Sequence, residues 1–219
     1  MIKINNLGEK NSIINNFISE LRNINIQNDK LRFRKNLERL GELFAYEISK
    51  TLDYKKELVT TPLGSLEMNV LKEQPVLATI LRAGLPMHQG FLNIFDQADN
   101  AFIAAYRKYD KNESFDINVE YYSAVNANNK VLIMIDPMLS TGASLVKCIN
   151  GLLNEEMIPK EIHIANILAS KEGIEYLKRT FINTNITVWV GAIDEELTAK
   201  SYIVPGLGDA GDLAYGKKE

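Results

Sequence analysis

The chain has 219 residues, 46% hydrophobic and 24% charged, enough for a sizeable core and too evenly mixed for disorder, a collagen repeat or a coiled-coil rod. Its 25 Lys and Arg against 28 Asp and Glu give a net charge of −3, which excludes tracking of a nucleic-acid backbone by charge alone and requires an anionic ligand to be met locally. The single Cys148 excludes a disulfide framework and a Cys-based zinc site; with no apolar run of roughly 18 residues and no apolar export core after Met1, a cytoplasmic protein without a membrane role is expected.

Ile13, Ile14, Phe17, Ile18 and Leu21 form an apolar stripe at helical spacing, and Phe33, Leu37, Leu40, Phe44 and Ile48 form a second, with Asn28 or Asp29 available as its cap. A Thr-Thr-Pro-Leu-Gly turn at 60–64 leads into a short segment, Leu66 to Leu71. From there the pattern changes to apolar runs of strand length: Val76 to Leu81, Ala101 to Tyr106, Val131 to Ile135, Ile162 to Leu168 and Ile186 to Val190. Amphipathic stretches at Ser144 to Leu153 and Glu172 to Phe181 separate some of them. This alternation predicts an α/β fold, a parallel β-sheet flanked by helices on both faces, preceded by N-terminal helices and formed by one domain over residues 1–219. The polar, Asn-rich interval 108–129 contains a Val119 to Tyr122 run suited to one arm of a projecting hairpin, and so long a connection usually carries function.

Chemistry concentrates first at Lys130 to Ser144, KVLIMIDPMLSTGAS, where a buried strand runs into an acid, a small-residue turn and a helix. Such a turn directs backbone N–H groups to one spot at a helix N-terminus, a place that favours phosphate. Ser140, Thr141 and Ser144 add hydroxyls and Gly142 permits close backbone approach, while Asp136 suits a sugar hydroxyl. The bland alternative, a capped helix after an ordinary turn, has about equal weight for a bare STGAS. Arg82 follows a strand and precedes Ala83-Gly84, which places a guanidinium and exposed N–H groups together, and Arg107 opens the long polar interval. Near the C-terminus PGLGDAG, residues 205–211, puts Asp209 in a glycine-rich turn directly after the apolar Tyr202 to Val204. His88, His163, Cys148 and Trp189 carry no ligand or triad spacing and are read as packing residues.

Asp136 to Ser144, DPMLSTGAS, resembles the phosphoribosyl-pyrophosphate (PRPP) loop of the uracil phosphoribosyltransferases, and Tyr202 to Asp212, YIVPGLGDAGD, resembles their uracil-binding loop. Ile80 to Leu85, ILRAGL, is similar to the family's pyrophosphate loop, and Tyr106-Arg107, Thr61-Pro62-Leu63-Gly64, Glu172-Gly173-Ile174 and Ala192-Ile193-Asp194-Glu195 follow in the family's order. The resemblance implies a type I phosphoribosyltransferase fold with a flap-like hairpin and a C-terminal base-binding loop. It also implies transfer of phosphoribose from PRPP to uracil, giving UMP and pyrophosphate in pyrimidine salvage. On this reading PRPP meets Arg82, Arg107, Asp136, Pro137, Met138, Leu139, Ser140, Thr141, Gly142, Ala143, Ser144 and Asp209. Uracil meets Ile203, Gly208, Asp209 and Ala210, and the catalytic weight falls on Asp209, Arg107 and Asp136. Magnesium is expected to arrive bound to PRPP, without a dedicated protein cage.

A homodimer or higher homo-oligomer is implied, with the N-terminal helices as a candidate interface, and some relatives respond to GTP as an effector. Ala143 stands where the family has a second glycine, harmless only at negative φ; Ser140 stands for the common Ala, and the stretches 86–89 and 196–201 also depart from the pattern. Two rival readings remain: a non-catalytic protein that binds PRPP or UMP and regulates a partner, and a phosphoribosyltransferase for another nucleobase. The missing basic face weighs against an RNA-binding regulator, and PGLGDAGD weighs against a purine.

Overall fold

A computed structural model describes residues 2–109, 115–123, 125–153 and 157–217, with the backbone alone over 105–109 and 115–122. The elements run β1 (Lys3–Asn6), α1 (Ile13–Arg22), α2 (Lys30–Ser49), β2 (Tyr54–Thr61), β3 (Gly64–Leu71), β4 (Val76–Leu81), α3 (Gly84–Ile94), β5 (Asp99–Tyr109) and β6 (Phe115–Ser123). They continue with β7 (Val131–Ile135), β8 (Met138–Leu139), α4 (Ala143–Leu152), β9 (Glu161–Ser170), α5 (Lys171–Thr180), β10 (Ile186–Asp194), β11 (Glu196–Leu197), β12 (Ile203–Val204) and α6 (Ala210–Tyr215).

The central sheet has the order β1-β10-β9-β7-β4-β5-β6, with β8 added beside β9. Its ladders are parallel except the last, where β5 and β6 form the antiparallel hairpin expected around Val119 to Tyr122. Alternation along each strand sends side chains to opposite faces. In β7, Ile133 and Ile135 join the layer under α1, α2 and α3, while Leu132 and Met134 join the layer under α4 and α5. Both faces are therefore helix-covered, which is why these strands read as unbroken apolar runs.

Asp29, rather than Asn28, caps α2 by accepting from the Arg32 N–H at 3.0 Å, and Ser12 with Asn15 makes a capping box on α1. The apolar stripe of α2 is buried at Phe33, Leu37, Leu40, Phe44 and Ile48; in α1 the stripe narrows, since Ile13 is exposed. Elements without a clear apolar period escaped the sequence reading: β1 at the sheet edge, the arm strand β2, helix α3 and the short C-terminal pieces β11 and α6, whereas β12 falls within the apolar Tyr202 to Val204.

Chain order places the site. From β4 the chain moves to β5 on one side, then returns through β7 to the other side of β4. The carboxyl ends of β4 and β7 thus flank a topological switch point, the crevice where open α/β sheets bind ligands. Close packing sharpens that crevice. A Cβ on Gly84 would lie 2.3 Å from Thr79 Oγ1 and 3.1 Å from the Ile135 carbonyl, so only glycine lets α3 start this close to β4 and β7.

Candidate active site

After Ile135 the chain stays attached to β9. The Asp136 N–H donates to Ala165, the Pro137 carbonyl accepts from Ile167 and Leu168, and β8 pairs Met138 with Leu168 and Leu139 with Ala169. The Asp136 carbonyl accepts from buried Asn166 at 2.6 Å. The Ser140 carbonyl accepts from Ser170 Oγ at 2.6 Å, and that same oxygen takes the Gly173 N–H at 2.8 Å. Gly173 is required, because a Cβ there would lie 2.2 Å from the Ser140 carbonyl oxygen. Gly142 has φ of 81° and turns the chain into α4. Ala143 opens that helix and is absent from the positive-φ residues, so its substitution for glycine is harmless to the backbone.

Across the crevice, β12 leads through Pro205 into Gly206, φ 56°, and Gly208, φ 95°. Side chains from distant elements hold this turn. Arg22 grips Asp194 through two bonds of 2.8 Å and donates to the Gly206 carbonyl at 2.9 Å, while the Gly206 N–H donates to Asp194 at 3.0 Å. Asp209 caps α6 by accepting from the Asp212 N–H at 2.9 Å, and Arg34 donates to the Ala214 carbonyl at 2.8 Å.

The two loops line one cleft of about 180 Å³, open to solvent. Asp136, Met138, Leu139, Ser140, Thr141, Gly142 and Ser144 face it from one side, and Ile203, Gly208, Asp209 and Ala210 from the other. Pro137 is buried behind the loop and Ala143 does not reach the cleft wall. Ala83, Leu145, Ser201, Tyr202 and Gly211 complete the lining and were missed as site residues. Of these, Ala83 and Tyr202 had a sequence signal in their adjacency to the Arg82 turn and the glycine-rich turn. Arg22 and Asp194, which support the site from outside, had none that spacing reveals.

Three assignments change in detail. The Ser140 hydroxyl, read as a phosphate donor, instead donates to the Ser201 carbonyl across the cleft. Arg82 stands at the rim, its guanidinium 3.1 Å from Asp212 and 3.3 Å from the Gly216 carbonyl, beside the lining residue Gly211. Its Nε is shielded from solvent and has no hydrogen-bond partner among the described residues, which leaves a donor for an incoming oxygen. The Arg107 backbone continues β5 next to β4, but its side chain lies outside the described residues, as do those of Lys108 and Lys111.

Asp136 is half-buried, and burial pushes its carboxyl up to about 7, opposed by the Met138 N–H that it accepts at 3.3 Å. At neutral pH this acid is poised between its two forms. The residues set aside behave as packing groups. The Trp189 indole donates to His163 Nδ1 at 2.9 Å in the core, burial drives His88 down to about 4, and burial pushes the Cys148 thiol up to about 12. Among the described residues no cluster of three or more His, Cys, Asp or Glu could hold a metal ion.

The sequence pattern that defines uracil phosphoribosyltransferases matches residues 9–217. A uracil phosphoribosyltransferase of Porphyromonas gingivalis is 52% identical over 217 residues, 99% of this chain and 100% of its own length. Another, from Pyrococcus furiosus, is 35% identical over 95% of this chain and 88% of its own. Among solved structures, the AQ2163 protein of Aquifex aeolicus superposes with a TM-score of 0.85 at 29% identity, covering 97% of this chain and 98% of its own. A hypoxanthine phosphoribosyltransferase of Staphylococcus aureus, 13% identical with a TM-score of 0.50 over 85% of this chain and 83% of its own, shares the fold.

Proposed function

The chain belongs to the uracil phosphoribosyltransferase family, and from that premise we infer how its residues divide the transfer of phosphoribose from PRPP to uracil, which gives UMP and pyrophosphate. The observation that carries the assignment is the single cleft into which the phosphate-type loop and the glycine-rich C-terminal turn both open. One wall suits a phosphorylated sugar and the other a flat base with alternating donors and acceptors.

The 5-phosphate belongs at the turn from Leu139 to Ser144, where the first N–H groups of α4 have no intrahelical partner and the dipole favours negative charge. Asp136 accepts the ribose hydroxyls from the end of β7. Arg82, with its unpartnered Nε, and Arg107, on the neighbouring strand, take the pyrophosphate. Uracil lies against the backbone of Ile203, Gly208 and Ala210, with Asp209 turned toward the sugar. As the bond from C1 to pyrophosphate breaks, positive charge develops at C1, and the Asp136 and Asp209 carboxylates in the same cleft favour it electrostatically. A bond from uracil N1 to C1 completes the exchange as the N1–H bond breaks and its proton is released to water, and in-line placement of the two substrates supplies most of the rate.

Two carboxylates on the cleft wall, without a third ligand nearby among the described residues, fit a magnesium ion carried mainly by phosphate oxygens and water. When bound, such an ion neutralises charge on the leaving pyrophosphate. The hairpin of β5 and β6 rises beside the pyrophosphate position and suits a cover that excludes water, the competing nucleophile.

Cytosine exchanges donor and acceptor at N3 and C4 and is disfavoured because buried polar groups facing those positions are then left unpaired. The test is incubation with PRPP, Mg²⁺ and each nucleobase, with nucleotide and pyrophosphate both followed. Turnover with uracil alone supports the assignment; turnover with a purine replaces it, and PRPP binding without turnover leaves the regulatory reading. GTP added to the same assay tests an effector role.

We place the protein in the cytoplasm; no helix among the described residues is long and apolar enough to cross a membrane. We further propose a homodimer, joined at the arm of β2 and β3 rather than at the N-terminal helices. Helices α1 and α2 bury their apolar stripes in the core, whereas the arm exposes Leu58, Leu63, Leu66 and Met68. A sedimentation profile that stays monomeric at micromolar concentration removes this proposal.

A further inference from the structure

The phosphate loop and the approach to the base loop are joined by a hydrogen bond from Ser140 Oγ to the Ser201 carbonyl. Each partner lines the cleft. Their surroundings differ. Ser140 sits on a backbone that is laddered to β9 through β8 and clasped from behind by Ser170. Ser201 sits in a turn with hydrogen bonds of its own: its N–H donates to the Thr198 carbonyl at 2.8 Å, the Thr198 N–H donates to the Tyr202 carbonyl at 2.9 Å, and the Tyr202 N–H donates back to Thr198 Oγ1 at 3.1 Å. This turn closes the two-rung pair of β11 and β12, which carries Ile203. Ser201 also holds φ of 60°, a left-handed conformation that a non-glycine residue keeps only where its surroundings impose it.

We propose that Ser140 is a positioning residue for the base: by donating to the Ser201 carbonyl it ties the phosphate loop to the turn that carries Ile203, and so sets where uracil lies relative to the ribose. The proposal rests on the reading above that uracil is held by the backbone at Ile203. The contact is directional in its consequence. Without the hydroxyl, the phosphate loop keeps its attachment to β9 and Ser170, whereas the 198–202 turn loses a restraint that reaches outside itself. Base binding is therefore weakened and PRPP binding is spared. A hydroxyl used in this way is also withdrawn from the phosphate, whose donors are then the backbone N–H groups, Thr141 and Ser144.

Ser140→Ala removes one oxygen from a half-buried site and leaves every backbone group in place. Two measurements decide the matter. In hydrogen exchange of the unliganded protein, amides in 198–204 are expected to exchange about fivefold faster in the variant, the equivalent of one ordinary hydrogen bond, while those in 141–146 stay unchanged. In steady-state kinetics the KM for uracil rises about fivefold and the KM for PRPP stays within about twofold. Unchanged exchange over 198–204, or equal rises in both KM values, overturns the proposal. Should the wild-type protein fail to use uracil at all, the substrate reading falls instead, and the exchange data still settle whether Ser140 restrains the turn.

Discussion

Residues Asp136–Ser144 hold their shape through the sheet they grow from, whereas residues 203–217 hold theirs through side chains sent from the other end of the chain. On the phosphate side the support is local: a strand end, a second short ladder to β9 and a glycine at φ 81° before a helix. On the base side Arg22, Arg34 and Arg82 reach in from α1, α2 and the end of β4. With phosphate at one wall and uracil at the other, as proposed above, the difference has a reason. Phosphate is met by N–H groups that any strand-to-helix turn can offer. A planar base needs backbone donors and acceptors at fixed separations, and an irregular segment keeps such spacing only when it is fastened at several points.

The largest expected effect comes from cutting the base side loose. Arg22→Ala leaves the Asp194 carboxylate, whose side chain is 8% exposed, without its cation and keeps only the Gly206 N–H. A loss of about 3 kcal/mol is expected, the lower end of what removing one partner of a buried pair costs. Calorimetry should show the melting temperature falling by on the order of 10 °C for a chain of this size. The uracil KM should rise more than the PRPP KM; an equal rise in both would erase the distinction between the two walls.

Next in size is Asp209→Asn. Asparagine caps a helix about as well as aspartate, so α6 persists and stability stays within about 0.5 kcal/mol. Turnover should nonetheless fall about 100-fold, because the charge facing C1 is gone. A variant with normal kcat would remove Asp209 from the mechanism. On the phosphate side, Gly142→Ala forces a left-handed residue and brings a Cβ within 3.0 Å of Tyr176 and 3.2 Å of the Gly173 carbonyl. An increase of about tenfold in PRPP KM is expected, with uracil KM nearly unchanged, from a backbone cost of roughly 1–2 kcal/mol.

A separate effect concerns protons. Asp136 ionises at about 7 when folded against an ordinary 3.8, so the folded state binds the extra proton between those values and its stability falls as pH rises through that window. Asp136→Asn escapes that loss. It should melt above wild type at pH 8 and converge with it near pH 4, although its turnover drops. In wild type, PRPP affinity should increase as pH rises through about 7, since the ionised carboxyl is the better acceptor for ribose hydroxyls. Calorimetric titration at pH 6 and pH 8 checks the sign, and a flat profile would mean that Asp136 does not meet the sugar.

Much of this site was legible in the residues, and the reason is local. A buried strand ending in Asp136, then Ser-Thr-Gly and a helical stripe, specifies an anion turn within nine consecutive residues, and the long apolar runs specify a helix-covered parallel sheet. Arg22 and Arg34 lacked any such mark, because their partners lie 172 and 180 residues away and no periodicity links them; Asp194 was marked only by its place in the Ala192 to Glu195 block. The short strand β11 and helix α6 bury too few side chains to leave a pattern.

Two departures from the family pattern, Ser140 and the segment 196–201, make the division plain. From the residues alone it follows that both differ, that Ser140 adds a hydroxyl donor, and that Ala143 is safe only at negative φ. That Ser140 donates to the Ser201 carbonyl, and that Ala143 begins a helix, follows only once the chain is folded. Propensity and alternation are set by neighbours along the chain, but a hydrogen bond between residues 61 positions apart exists only after the sheet order has brought two loops to the same edge.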